Sequence, residues 1–292
     1  MSEVVFGLDV STSAAPGEDP LDRARRAEDL GFDFVSANDH PSGTNPTFEL
    51  WTLLAWLAAG TSGIRVASRV LGVPYRAPPM VAKMAESLDR LSGGRLILGM
   101  GGGSGDEEMR AFGLGAPSPR DKVDGLEEAI RIVRGLWTEP RFTLPGRLYR
   151  TENAPLEPKP EHRIPIWLGT YGPRALEVTG RLADGWIPSI GFAPPGEIPP
   201  MRDRVFEAAR AAGRAPSEIT CVYNVQIRVG GRADGPPDAV TGSADQVADE
   251  LLGFVRLGFD GFNFTPAGPE RAEQAELIAS EIIPGVRGAV LS

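Results

Sequence analysis

The stretch PPMVAKMAESLDRLSGGRLILGMGGGSG, residues 78–105, decides how the chain is read. Pro78 to Leu91 carries a helical pattern, and Ser92-Gly93-Gly94 stops it. Leu96 to Gly99 is a short apolar strand, and a glycine-rich loop follows as far as Gly105. The same alternation recurs on both sides. Towards the N-terminus, strands are predicted at Val4–Asp9, Phe34–Ala37 and Ile64–Leu71, with helices at Pro20–Leu30 and Phe48–Ala59. Leu21, Ala24 and Ala27 share one face of the first helix, and Gly31 stops it. Beyond the glycine loop come a helix at Val123–Leu136, a strand at Ile166–Gly169, a helix at Pro173–Ala183 and a short strand at Gly185–Ile187. A helix at Met201–Ala212 and a strand at Thr220–Val229 lead to a polar loop at 230–242. Ser243-Ala244-Asp245-Gln246 is a capping box that opens a helix to Leu257, with Gly258 as its stop. Gly261–Phe264 and Pro269–Ile283 complete eight strand–helix pairs. Strands joined by crossover helices pair in parallel with right-handed connections. Eight of them predict class α/β, a (β/α)8 TIM barrel forming one domain over 1–292, with an open doubly wound sheet as the other topology. Only residues 137–163 break the rhythm. Arg141 to Tyr149, with a Pro145-Gly146 turn, predicts a hairpin inserted after the fourth helix.

Composition narrows the function classes. Of 292 residues, 41% are hydrophobic and 24% charged, enough for one large core and unlike a disordered chain. A net charge of −9, with no block of Lys or Arg, disfavours a nucleic-acid partner. Cys221 is the only cysteine, sits in an apolar context and is expected in the core; no Cys/His cluster has metal-ligand spacing. No apolar run is long enough to span a bilayer, and the opening Met1-Ser2-Glu3-Val4-Val5-Phe6 has no basic n-region, so a reduced, cytoplasmic protein without a membrane partner is expected.

Barrel sites lie at the C-terminal ends of the strands. The candidates are therefore Asp9 and Ser11, then Asn38, Asp39 and His40, then Ser68, Arg69 and Val70, then the 99–106 loop, then Thr170 to Pro173, and Trp186. His40 is one of two histidines and stands at a strand mouth, where an imidazole holds or moves a proton, or else orders a loop. Asp39 beside it is suited to orient a ring or accept a hydrogen bond. The other histidine, His162, falls in the insertion and is expected to be solvated. Gly99 to Gly105 either lets a ligand approach backbone N–H groups or forms a flexible lid. It matches the dinucleotide fingerprint only loosely, because Ser104 stands where the third glycine belongs. Thr170-Tyr171-Gly172-Pro173-Arg174 opens a helix with proline at its first position, and its free amides suit a phosphate. Trp51, Trp56 and Trp137 are expected in the core. Asp106, Glu107, Glu108, Glu127 and Glu128 are expected as solvated helix starts. With no Ser–His–Asp set, carboxylate pair or metal cluster, chemistry carried by a bound organic cofactor is what remains.

Several phrases, in order, resemble the luciferase-like monooxygenase family, whose members include oxidoreductases using coenzyme F420, a 5-deazaflavin. They are Ala27 to Val35 followed by Asn38-Asp39-His40, then Leu88-Asp89-Arg90-Leu91-Ser92-Gly93-Gly94-Arg95 leading to Leu98 to Gly101. Leu156 to Pro160, Ile164 to Gly169, Gly172 to Leu176, Leu182 to Ile187 and Gly242 to Ala248 follow. The resemblance implies a cofactor ring in the barrel mouth, its face against the end of the third strand, with a non-proline cis peptide joining Arg69 to Val70. It implies a phosphate on the amides of Tyr171 and Gly172, and Gly101, Gly102 and Gly103 along the pyrimidine side or tail. Asp39 and His40 match a pair that contacts the deazaflavin ring. Asp39-His40-Pro41, where the flavin branch tends to carry Glu-His-His, favours the deazaflavin branch. The sugar-phosphate dehydrogenases of the family carry a glutamate where this chain has Ser104, which speaks against sugar-phosphate oxidation.

The expectation is thus a hydride-transferring F420 oxidoreductase acting on a small organic substrate, with His40 and Asp39 catalytic. Ser68, Arg69, Val70, Gly101–Gly103, Thr170, Tyr171, Gly172, Pro173 and Trp186, with Asp39, would bind the cofactor. An FMN-dependent monooxygenase served by a separate reductase, and a non-catalytic flavin-binding barrel, are the alternatives. A homodimer through the apolar second and third helices is a further expectation.

Overall fold

The computed structural model describes residues 4–230 and 238–291. The Met1–Glu3 opening and residues 231–237 of the expected polar loop lie outside them.

Eight parallel strands close on themselves: β1 (Val5–Asp9), β2 (Phe34–Ala37), β3 (Arg65–Ser68), β4 (Leu96–Gly101), β5 (Ile166–Leu168), β6 (Gly185–Trp186), β7 (Thr220–Val229) and β8 (Gly261–Pro266). Each pairs with the next, and β8 returns to β1 with Gly261 opposite Val5. The expected barrel is therefore the fold, and the open sheet is not. Eight helical layers surround it: α1 (Pro20–Asp29), α2 (Leu50–Gly60), α3 (Pro78–Ser92), α4 (Pro119–Thr138), α5 (Pro173–Leu182), α6 (Ile198–Ala211), α7 (Ala244–Arg256) and α8, which begins at Arg271–Leu277. Among the described residues no helix is long and apolar enough to cross a membrane.

The two cores follow from strand alternation. One lies between sheet and helices, where Phe6, Phe262 and Phe264 stack with ring centroids 5.9–6.2 Å apart. The other fills the barrel itself. Phe34 meets Trp167 edge-on at 5.5 Å, and Ala67, Ile97, Ile187 and Val222 pack around them. Phe34 has room because β1 offers glycine opposite it; a Cβ on Gly7 would fall 2.2 Å from the Phe34 ring. This plug closes the lower barrel and leaves the strand ends open above it.

Several boundaries differ from expectation, each for a local reason. The third strand stops at Ser68, and Leu71–Gly72 pairs separately with Met100–Gly101 of β4. Between the two pieces Arg69–Val70 is a cis peptide, as the resemblance implied. A short helix, Asp106–Ala111, stands after the glycine loop and opens on the acidic residues expected as a helix start, although the sequence marks no end for it. α6 starts early because Pro199 and Pro200 are tolerated in a first turn, where no N–H is needed. α8 runs on through a π-helical turn, Ile278–Ile282, into Ile283–Leu291; Pro284 lacks the N–H a regular turn requires, and the wider turn accommodates it. The inserted hairpin pairs Phe142–Leu144 with Thr151–Ala154, further along than the predicted Arg141–Tyr149. Trp51 and Trp137 are buried, but Trp56 is 63% exposed: α2 is apolar on the side facing away from the barrel as well. His162 is exposed as expected, and its Nδ1 lies 3.3 Å from the buried Asp89 carboxylate. Glu127 and Glu128 are not solvated starts either. Glu127 bridges Arg131 and Arg181, and Glu128 accepts the backbone N–H groups of Arg147, Leu148 and Tyr149. Cys221 is in the core as expected, its thiol pushed up by burial.

Candidate active site

A cavity of about 470 Å³ opens at the C-terminal ends of the strands, a volume typical of small-molecule sites. It is lined by Asn38, Asp39 and His40 after β2, Arg69 and Val70 after β3, and Gly101 to Gly105 after β4. Gly72 and Tyr75 in the segment after β3, Gly169 and Tyr171 after β5, Ile187, Ser189 and Phe192 after β6, and Asn224 on β7 complete it.

Its floor is built by close backbone approach. A Cβ on Gly99 would lie 1.9 Å from the Ser68 carbonyl oxygen, and one on Gly101 would lie 2.8 Å from Val70 Cγ2. Only glycine lets β4 run this close to the end of β3. Ser68 completes the seam, donating through Oγ to the Gly99 carbonyl at 2.8 Å and accepting from the Gly99 N–H at 2.9 Å. Ser68 therefore spends its hydroxyl on the barrel wall and does not line the cavity, contrary to the cofactor-binding role expected of it. Thr170 and Trp186 are corrected in the same way. The Trp186 indole N–H donates to the Thr170 carbonyl at 3.0 Å and is fully buried. The Thr170 hydroxyl bonds that of Thr179 at 2.7 Å. These contacts anchor the β5–α5 turn from behind and set the direction in which α5 begins. Gly172, its N-cap, and Pro173 are exposed at the rim, next to the cavity-lining Tyr171.

Asp39 and His40 are neighbours in sequence but turn to different partners. Asp39 is buried. Its carboxylate accepts two bonds from Arg76, at 2.7 and 3.0 Å, and one from the Gly72 N–H at 2.9 Å. Arg76 also reaches Glu49. Burial works against the Arg76 charge, and the two carboxylates outweigh it and hold the guanidinium above its ordinary range. Burial likewise opposes the Glu49 charge, yet bonds from Thr52 and Arg76 hold that carboxyl down at about 2. A buried carboxylate needs such pairing. Asp39 thus fixes the β2 end to the segment after β3 and accepts hydrogen bonds, as expected of it, but from Arg76 and Gly72 and not from the His40 ring.

That place is taken by Glu108, which the sequence reading had left in solvent. His40 Nδ1 lies 2.9 Å from Glu108 Oε1, and the Tyr75 hydroxyl donates to Oε2 at 2.8 Å. Burial and the neighbouring Glu108 raise the Tyr75 phenol above its usual value, so it remains a donor. Glu108 arrives on the short Asp106–Ala111 helix, 68 residues from His40. A carboxylate on Nδ1 selects the tautomer with the proton there and leaves Nε2 as the free acceptor. The His40 side chain is 52% exposed, at the cavity mouth.

Arg69, the cation on the cavity wall, is paired: Nε lies 3.0 Å and an Nη atom 2.9 Å from Asp9 Oδ1. Tyr171 accepts the Ser189 N–H at 3.2 Å and packs its ring on Phe192 at 5.4 Å.

Comparison with known proteins fits this arrangement. The profile of the luciferase-like monooxygenases matches residues 4–235. An F420-dependent glucose-6-phosphate dehydrogenase of Nakamurella multipartita is 32% identical over 229 residues, covering 76% of this chain and 67% of that protein. A protein of the same description from Intrasporangium calvum is 26% identical over 324 residues, covering 92% and 94%. Among solved structures, an F420-dependent secondary alcohol dehydrogenase in complex with an F420–acetone adduct superposes with a TM-score of 0.86 at 20% identity, over 98% of this chain and 99% of that one. That last likeness speaks to the fold, while the family profile covers the greater part of the chain and every strand end that lines the cavity. The chain belongs to the luciferase-like monooxygenase family.

Proposed function

We propose that this protein is an oxidoreductase that uses coenzyme F420 to move a hydride to or from a small, uncharged organic substrate, with His40 handling the proton. The observation that carries the reading is the His40–Glu108 pair at the mouth of a glycine-walled cavity, in a chain whose relatives are F420-dependent. The residues present suit a flat tricyclic group. Val70 and the adjacent glycines offer an apolar face without side-chain obstruction, and the cavity has the volume. When bound, the coenzyme supplies the hydride donor or acceptor.

The remaining work falls to the chain's own groups. The amides of Tyr171 and Gly172 and the start of α5 suit a phosphate, by free N–H groups and helix dipole. Gly101 to Gly103 give the ring edge or tail access to backbone. His40 Nε2 takes a proton from a substrate hydroxyl or returns one to a carbonyl, while Glu108 stabilises the imidazolium that forms. Asp39 sets the height of the β2 end through Arg76. Among the described lining residues the one arginine is committed to Asp9, which favours a neutral substrate over a phosphate ester. The exposed Trp56 on α2 and Met80 on α3 support a homodimer across those helices.

Tryptophan fluorescence titration with F420 and with FMN tests the cofactor: tight binding of F420 alone supports the reading, and tight binding of FMN alone moves the protein to oxygen-dependent chemistry. With 2-propanol and other small neutral alcohols as substrates, His40→Ala is expected to lower turnover by about 10²–10⁴-fold and leave the coenzyme Kd within about twofold. Unchanged turnover removes His40 from the mechanism.

A further inference from the structure

Asn224 sits on β7, 6% exposed, on the wall of the cavity. Its Nδ2 donates to the carbonyls of Ile187 at 3.1 Å and Pro188 at 3.2 Å, and reaches the Ser189 hydroxyl at 3.3 Å. Two backbone carbonyls can only accept, so the amide cannot be turned over without losing both bonds. Its Oδ1 therefore has a fixed place, and there it is buried without a partner among the described residues. Folded proteins rarely leave a buried carbonyl oxygen so.

The neighbourhood points to what fills the gap. The Ile187 carbonyl that anchors the amide lies 3.7 Å from an ideal Cβ on Gly169, and that same Cβ position is 3.2 Å from Val70. Asn224 thus borders the wall formed by Gly169 and Val70, where the absence of side chains gives a flat ligand access. The next residue across the sheet is Asn263, in register with Asn224. It is fully buried, accepts the Ser36 hydroxyl at 3.0 Å and has its own Nδ2 unpartnered.

We infer that Asn224 Oδ1 is a recognition atom that accepts a hydrogen bond from an N–H or O–H of a molecule bound in the cavity. The inference rests on the cavity being a flavin-type cofactor site. Two donors have the required chemistry: the imide N–H of a flavin or deazaflavin ring, and the hydroxyl of a small alcohol. Because the acceptor is locked, a ligand carrying an alkyl group in place of that hydrogen meets an oxygen that cannot rotate away.

The test uses the full chain and tryptophan fluorescence titration with whichever of F420 and FMN the wild type binds, and with the 3-methyl derivative of that coenzyme, which lacks the imide hydrogen. If the ring is the donor, methylation weakens wild-type binding at least about tenfold, and in Asn224→Leu the coenzyme and its methyl derivative bind alike. If the substrate is the donor, Asn224→Leu leaves the coenzyme Kd within about twofold and raises KM for 2-propanol about tenfold or more with kcat little changed. The inference is overturned if the folded variant shows neither change and the wild type binds both coenzyme forms equally, the result expected if one buried water bridges Asn224 and Asn263. Should Asn224→Leu fail to fold, the same measurements on Asn224→Ser, which also removes the acceptor from that place, decide: wild-type coenzyme Kd and KM for 2-propanol in that variant, with equal wild-type binding of the two coenzyme forms, overturn it. Wild type that binds no coenzyme at all is a different result and sinks the cofactor reading itself.

Discussion

At His40 the group that matters most to the ring is one that its own sequence neighbourhood does not contain. Position after a strand marks His40 as a candidate site residue, and the barrel places it at the cavity mouth. Asp39, next to it, was legible as a site residue but not in its role. Its pairing with Arg76 depends on how the segment after β3 turns back, and no periodicity records that. Glu108 was not legible at all. It belongs to an acidic run after a glycine loop, and its link to His40 arises only when the barrel closes. Glu108→Gln keeps the side chain's shape and its ability to accept at Nδ1, but removes the negative charge that favours an imidazolium. It is expected to lower kcat with 2-propanol by about 10–100-fold and leave coenzyme Kd unchanged. A variant with wild-type kcat would show that Glu108 merely occupies space beside the ring.

Elements with sharp local chemistry were readable, and those shaped by their neighbours were not. The Ser243–Gln246 capping box is present as written, Ser243 N–H to Gln246 Oε1 at 2.9 Å and the return bond at 3.3 Å. The Asp106–Ala111 helix was legible only as an acidic start, because six residues carry too little periodicity to mark its extent. The acidic residues of α4 show the same limit: Glu127 looks solvated from sequence, yet it clamps α4 to α5 by two bonds to Arg181 at 3.0 and 2.7 Å. Arg181 first, and then Arg131, hold the Glu127 carboxyl at about 2 against the opposing effect of burial. Since the folded value lies below the unfolded one, this contribution is fully present above about pH 4.5 and disappears as pH falls through about 2. Screening at a partly exposed pair reduces it to about 1–2 kcal/mol. Glu127→Gln is therefore expected to lower Tm by a few degrees at pH 7 and by progressively less towards pH 2.5. Thermal denaturation of both proteins at pH 7, 4 and 2.5 checks this, and a Tm difference independent of pH would exclude the charge as its cause.

For the whole molecule, the count of strand–helix pairs was enough to specify a closed barrel, because parallel strands with right-handed crossovers leave few alternatives. What the count does not specify is which outer surface stays free. Trp56 on α2 was expected in the core, but a helix in the outer ring of a barrel has one face on the strands and another on whatever lies outside. The second face carries Trp56 at 63% exposure, and Met80 at the start of α3 is 55% exposed. Large side chains left in water on adjacent helices are the ground of the proposed homodimer, in which the same patch on a second copy of the chain would cover them. Sedimentation of the wild type at micromolar concentration is expected to give a dimer. Trp56→Glu is expected to give a monomer with an unchanged far-ultraviolet spectrum, because the residue makes little contact with its own barrel, and with coenzyme Kd unchanged, because the cavity lies at the strand ends. A wild-type monomer would remove the need for any partner on this face. A variant that remains dimeric would place the interface elsewhere on the ring of helices.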